Sequence, residues 1–258
     1  MELGRSDTVG PQPRHAVLWG TLFWTAFSMM AVLVRGIRWD ENYEFAQVLL
    51  GIIPYPEGHP LAQYVHGFYS LQTWSLAGLM AVSPSPFLAN GLRNMLFLLA
   101  TVVPPFLMGS LLGRRARWGH VAALLVLLGI HIPFYSNYPV QVWPGLYSNG
   151  HIGLGCALLT LYLLLAGRHR RAYLLFGLMP AIHAGQFPPL LGLVLLRLLW
   201  NGCYRHTREW RIAWRWTSAG FVVCAFGFAA RRTLAQSLHG THQRHTHSCG
   251  RCYLHRPG

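Results

Sequence analysis

The residue types able to move protons crowd into one short stretch of this chain. It runs from Trp39-Asp40-Glu41-Asn42-Tyr43-Glu44 through Pro56-Glu57-Gly58-His59-Pro60. The full sequence of 258 residues holds only 7 acidic residues, and none falls between Gly58 and Arg208. Glu2 and Asp7 are N-terminal, and Glu209 lies among arginines far downstream. Carboxylate chemistry in this chain therefore belongs to Asp40, Glu41, Glu44 or Glu57. A carboxylate held at a partly dry boundary has its pKa raised towards values useful for taking a proton. His59 adds an imidazole in a proline-bounded turn, where it either contacts a substrate or caps the turn.

The elements that must position these groups are membrane spans. Hydrophobic residues make up 53% of the chain and charged residues only 11%, against about 25% charged in a soluble domain. Mean hydropathy is +0.31. Several runs approach the roughly 20 apolar residues that a spanning helix needs. The composition thus predicts an all-α polytopic transmembrane bundle. The net charge of +14 is not a nucleic-acid footprint. All 21 basic residues are arginine, and they cluster in short loops between apolar runs, as the positive-inside bias requires. The 5 cysteines indicate no disulfide framework: Cys156, Cys203 and Cys224 sit in apolar or membrane-edge runs, and Cys249 and Cys252 lie in the tail.

Charge bias orders the spans. Residues 1–15 are cytoplasmic, with Arg5 and Arg14 ahead of a first, uncleaved span at 16–34. The segment 35–91 is an outer loop carrying the acidic stretch. Within it, 41–53 has apolar positions at helical spacing and reads as an amphipathic interfacial helix, ended by Pro54, Pro56 and Pro60. Residues 61–82 are long enough to cross but rather polar. A crossing there would place Arg114, Arg115 and Arg117 outside, so they are read as lying along the outer surface. Spans follow at 92–112, 119–135, 151–167, 172–184, 190–202 and 216–230. An outer loop fills 136–150, an inner cluster Arg168–Arg171, and an inner loop holds Arg205, Arg208, Arg211 and Arg215.

With these features in order, the sequence resembles the GT-C class of polytopic glycosyltransferases, in the branch of bacterial protein O-mannosyltransferases and aminoarabinose transferases. The resemblance rests on a first span, then Asp40-Glu41 with a following aromatic, then Gly58-His59-Pro60-Leu61. It continues through Ser83-Pro84-Ser85-Pro86-Phe87 with Gly91-Leu92-Arg93, Leu111-Leu112-Gly113-Arg114-Arg115, and Leu161–Leu165 with Arg168–Arg171. It covers about residues 16–200. It implies transfer of a sugar from a polyprenyl-phosphate donor to an acceptor, a lipid, glycan or protein, on the outer face of the bacterial inner (plasma) membrane. It makes Asp40 the general base and gives Glu41 an orienting role. Glu57, His59, Arg93 and His183 become substrate-binding candidates. The absence of downstream acids leaves no second carboxylate for a metal, so no metal is expected, and no other cofactor is expected either. The expected partners are the lipid-linked donor, its acceptor and membrane lipids, with no nucleic acid.

The tail 231–258 changes character. It is rich in Arg, His and Cys, as an out-of-frame GC-rich reading would be, and family chains are longer. The expectation is a truncated or frameshifted, disordered end, with zinc binding through Cys249 and Cys252 as the minor reading. The rival to a transferase is a non-enzymatic carrier or transporter subunit, or an inactive fragment. A carrier would bury charged groups at mid-span, whereas these acids sit at an interface.

Overall fold

The computed structural model describes residues 14–35, 41–56, 58–67, 70–83, 85–131, 149–204 and 209–230. The regular structure in them is entirely helical. Three helices are long and apolar enough to cross a membrane: His15–Val34, Phe87–Leu112 and Glu209–Ala230.

Helix α1 (Arg14–Arg35) shows how an apolar run meets both lipid and protein. Gly20, Trp24, Ser28 and Val32, spaced by four, form its buried stripe. Trp19, Leu22, Leu33 and Val34 point outward and are exposed. Such exposure is costly in water and expected in hydrocarbon. Gly20 lies against the Phe106 ring, where any side chain would collide.

The first loop folds as three short helices. They are α2 (Glu41–Leu49), α3 (Pro60–Gly67) and α4 (Leu71–Val82). Ala46, Leu49 and Leu50 pack with Val65, Trp74, Leu76, Ala77 and Met80 into one apolar cluster. The segment 61–82 is therefore two helices of 8 and 12 residues, and neither reaches the length of a span. Burial of α4 against α2 and α5 explains why its apolar residues do not need lipid.

Helix α5 (Pro86–Leu112) is the central post, touching α1, α4, α6 and α7. It starts at residue 86, six residues before the expected span. Ser85 is extended and Pro86 takes the first helical position, where its fixed φ and missing N–H cost nothing. A tight turn at Gly113–Arg115, with Arg114 at φ 53°, leads into α6 (Ala116–His131). Small residues let α5 and α6 close on each other: Gly109 meets Ala122, and Gly119 meets Ser110 and Phe106.

Helix α7 (Asn149–Leu165) ends in a Schellman motif before α8 (His169–Ile182). Gly167 has φ 72°. Its N–H donates to the Leu164 carbonyl at 3.2 Å, and the Arg168 N–H to that of Leu163 at 2.8 Å. A 3-10 turn, Ala184–Gln186, then leads to α9 (Phe187–Tyr204). The last helix, α10 (Glu209–Ala230), begins seven residues before the expected 216. Arg211 and Arg215, expected in an inner loop, are exposed positions on its first turns. The reason is tertiary, because Glu209 is held by α8 and α9 at that end. The tail 231–258 and most of the outer loop 136–150 lie outside the described residues.

Candidate functional site

A cavity of about 500 Å³ opens beside α5, walled by α4, α7, Thr25 of α1 and Ile182 at the end of α8. Its size suits a small ligand or a segment of a larger one. The α5 wall runs from Arg93 through Leu96, Leu99, Ala100 and Val103 to Pro104. At helical rise these eleven steps cover roughly 16 Å. Leu71, Leu76 and Leu79 of α4 and Ile152, Cys156 and Leu159 of α7 close the other sides. Gly155 rests on Ala100, where any side chain would collide with the α5 backbone. That close approach sets the width of the groove between the two helices.

Among the described lining residues Arg93 alone carries charge. It is only 4% exposed. Its guanidinium carbon stands 4.4 Å from the Phe97 ring centroid, a cation–π contact one turn along α5. Asn90 and Asn94 flank it and are fully buried, and Asn94 Nδ2 donates to the Asn90 carbonyl at 2.7 Å. Gln72 and Ser75 are the polar lining groups contributed by α4. Gln72 Nε2 donates to the Ile182 carbonyl at 2.8 Å and ties α4 to the end of α8. The lining thus sets one cationic residue, Arg93, at the end of a mainly apolar wall along α5.

The predicted residues distribute unevenly around this cavity. Arg93 is in its wall. His183 is not, although its neighbour Ile182 is. His183 packs on Gly153 of α7, and its Nδ1 accepts from the Gln186 N–H at 3.2 Å. That bond puts the ring proton on Nε2 and makes His183 the organiser of the turn between α8 and α9. His59 also stands off the cavity. Its ring lies tilted against that of Tyr55 with centroids 4.5 Å apart, its N–H donates to the Pro56 carbonyl, and its carbonyl receives the Gln63 N–H. It shapes the turn that starts α3. Glu41 opens α2, and Glu44 is exposed on the same helix. Asp40 and Glu57 lie outside the described residues. On α2, burial raises the Tyr43 phenol above its ordinary pKa. No group of three or more potential metal ligands occurs among the described residues.

Asn90, Asn94 and His151, all buried polar residues at the heads of α5 and α7, are not among the candidates named from the sequence. The signal was present: polar side chains within otherwise apolar runs are expensive there and tend to be functional. Comparison with protein-family models, curated proteins and solved structures finds no match to this chain.

Proposed function

We propose that the chain is the multi-pass membrane core of a GT-C-like glycosyltransferase of the bacterial inner membrane, using a polyprenyl-phosphate sugar as donor. The observation that carries this reading is the buried Arg93 in the wall of a mainly apolar groove. A polyprenyl phosphate has the same two parts, a phosphate for the guanidinium and a hydrocarbon chain for the groove. The acidic stretch supplies the complementary proton chemistry.

In this mechanism the acceptor hydroxyl attacks the anomeric carbon of the donor. Asp40 takes the hydroxyl proton as the new glycosidic bond forms. The bond from the anomeric carbon to the phosphate oxygen breaks, and its electron pair leaves with the polyprenyl phosphate. Arg93 stabilises the charge that develops on this leaving group. Glu41, one residue on, orients the loop that carries the base.

The test uses the purified full chain in vesicles loaded with polyprenyl-phosphate sugar and supplied with a hydroxyl-bearing acceptor, with release of free polyprenyl phosphate as the readout. Asp40→Asn should slow transfer at least about a hundredfold, the low end for a lost general base, while insertion stays normal. Normal transfer by Asp40→Asn would reject Asp40 as the base. Donor movement across the bilayer without any release of polyprenyl phosphate would favour a carrier instead.

A further inference from the structure

A second cavity, of about 540 Å³, lies at the junction of α7, α8 and α10, away from the Arg93 groove. Its lining is Gly167, Arg168, His169, Arg170, Arg171 and Ile212. We propose that this cavity is a binding site for the phosphate headgroup of an anionic membrane lipid. The proposal is independent of the transferase reading.

Three observations converge on it. The first is charge without a counterion. Arg168, Arg170 and Arg171 form no ion pair among the described residues. Glu209, whose Oε1 stands 3.4 Å from His169 Nδ1, is occupied by Arg197 at 3.2 Å and by the Tyr173 hydroxyl at 2.9 Å. Three arginines thus line one hollow, and guanidinium groups match phosphate oxygens in pairs.

The second observation is the backbone. The cavity lies at the start of α8, whose first turn contains no acidic residue, and Arg168 makes no side-chain cap. First-turn N–H groups have no acceptor inside their own helix, and the helix dipole adds positive potential there. Gly167, in the left-handed region, leaves the mouth open, since nothing stands within 4 Å of where a Cβ would project.

The third observation is depth. Ile212 gives the cavity an apolar wall, and its neighbours Trp210 and Trp214 are 41% and 79% exposed. Exposed tryptophans beside Arg211 and Arg215 mark the level where hydrocarbon meets headgroups. A basic pocket between helices at this level suits a lipid phosphate more than a freely diffusing anion.

The experiment counts lipids retained by the full chain in detergent, by native mass spectrometry, after exposure to phosphatidylglycerol or phosphatidylcholine. The wild-type chain should keep one phosphatidylglycerol in preference. The variant Arg168→Gln/Arg170→Gln/Arg171→Gln should lose that preference at least about tenfold, given about 1 kcal/mol for each basic residue near a lipid surface. The matched variant Arg114→Gln/Arg115→Gln/Arg117→Gln, altering a basic turn outside the cavity, should retain it. Equal losses in both variants would mean diffuse attraction and overturn the site. An equal count of the two lipids on the wild-type chain would overturn it as well. Inorganic phosphate at millimolar concentration should not displace the lipid, and full displacement would assign the site to a soluble anion. Should the triple variant fail to fold, Arg170→Gln and Arg171→Gln, both at exposed positions, read the same ratio singly.

Discussion

The Tyr173 hydroxyl donates to Glu209 Oε1 at 2.9 Å, across 36 residues, and joins α8 to the first turn of α10. Arg197 Nε, from α9, donates to the same oxygen at 3.2 Å. The only acid after Gly58 is thus spent on holding three helices together. Tyr173→Phe should destabilise the protein by about 1.5 to 3 kcal/mol, the range for a hydrogen bond to a charged group. Thermal unfolding in detergent checks this. In a double-mutant cycle, Tyr173→Phe should cost little once Glu209→Gln is present.

Helices α8 and α10 cross at a pair of glycines. A Cβ on Gly220 would stand 2.7 Å from the Gly177 Cα, and the Cys224 thiol lies 3.5 Å from the Gly177 carbonyl. Gly177→Ala should force the helices apart. In a background where Cys224 is the only cysteine, its alkylation by a maleimide should speed up severalfold. An unchanged rate would place the crossing elsewhere.

At the cavity, Arg93→Gln should weaken retention of polyprenyl phosphate by about tenfold to a hundredfold, from loss of a charge-assisted contact. Uncharged polyprenol should bind the variant and the wild type alike. Equilibrium binding in detergent distinguishes the two ligands.

Leu159→Trp enlarges a side chain in the wall of the groove that Val103 and Pro104 also line. It should weaken binding of long-chain donors at least about tenfold, since displacing two or three methylene groups suffices for that. Short-chain analogues that do not reach this depth should bind normally. A loss for both chain lengths would mean that the hydrocarbon does not follow α5.

Single-cysteine labelling tests the membrane orientation derived from the arginine clusters. A membrane-impermeant maleimide applied outside should reach cysteines placed at Asn42 and Asn149 and miss those at Arg115 and Arg170. Outside labelling at Arg115 would invert the α5–α6 turn and require α3 and α4 to contribute a crossing.

The all-helical class and the apolar helices were legible in the sequence, because hydropathy is a local property that any window of the chain reports. The arginine turns at 114–117 and 168–171 were legible for the same reason, and glycines at 113 and 167 mark where the helices stop. Arg93, a candidate through the resemblance, lines the cavity beside α5. His59 and His183 both stand in turns, each held by local contacts, His59 by Tyr55 and Pro56 and His183 by Gln186. What the sequence by itself determined is which segments leave water and where positive charge collects. Only the tertiary structure decided that 61–82 breaks into two helices, α3 packed on α2 and α4 packed on α2 and α5, that Gln72 reaches Ile182 across 110 residues, and that Glu209 closes the α8–α10 end. The physical reason is that apolarity makes a helix leave water without choosing its neighbour. Neighbours are chosen by shape, as at Gly155 on Ala100 and Gly177 on Gly220, and by polar groups that must find partners once water is gone.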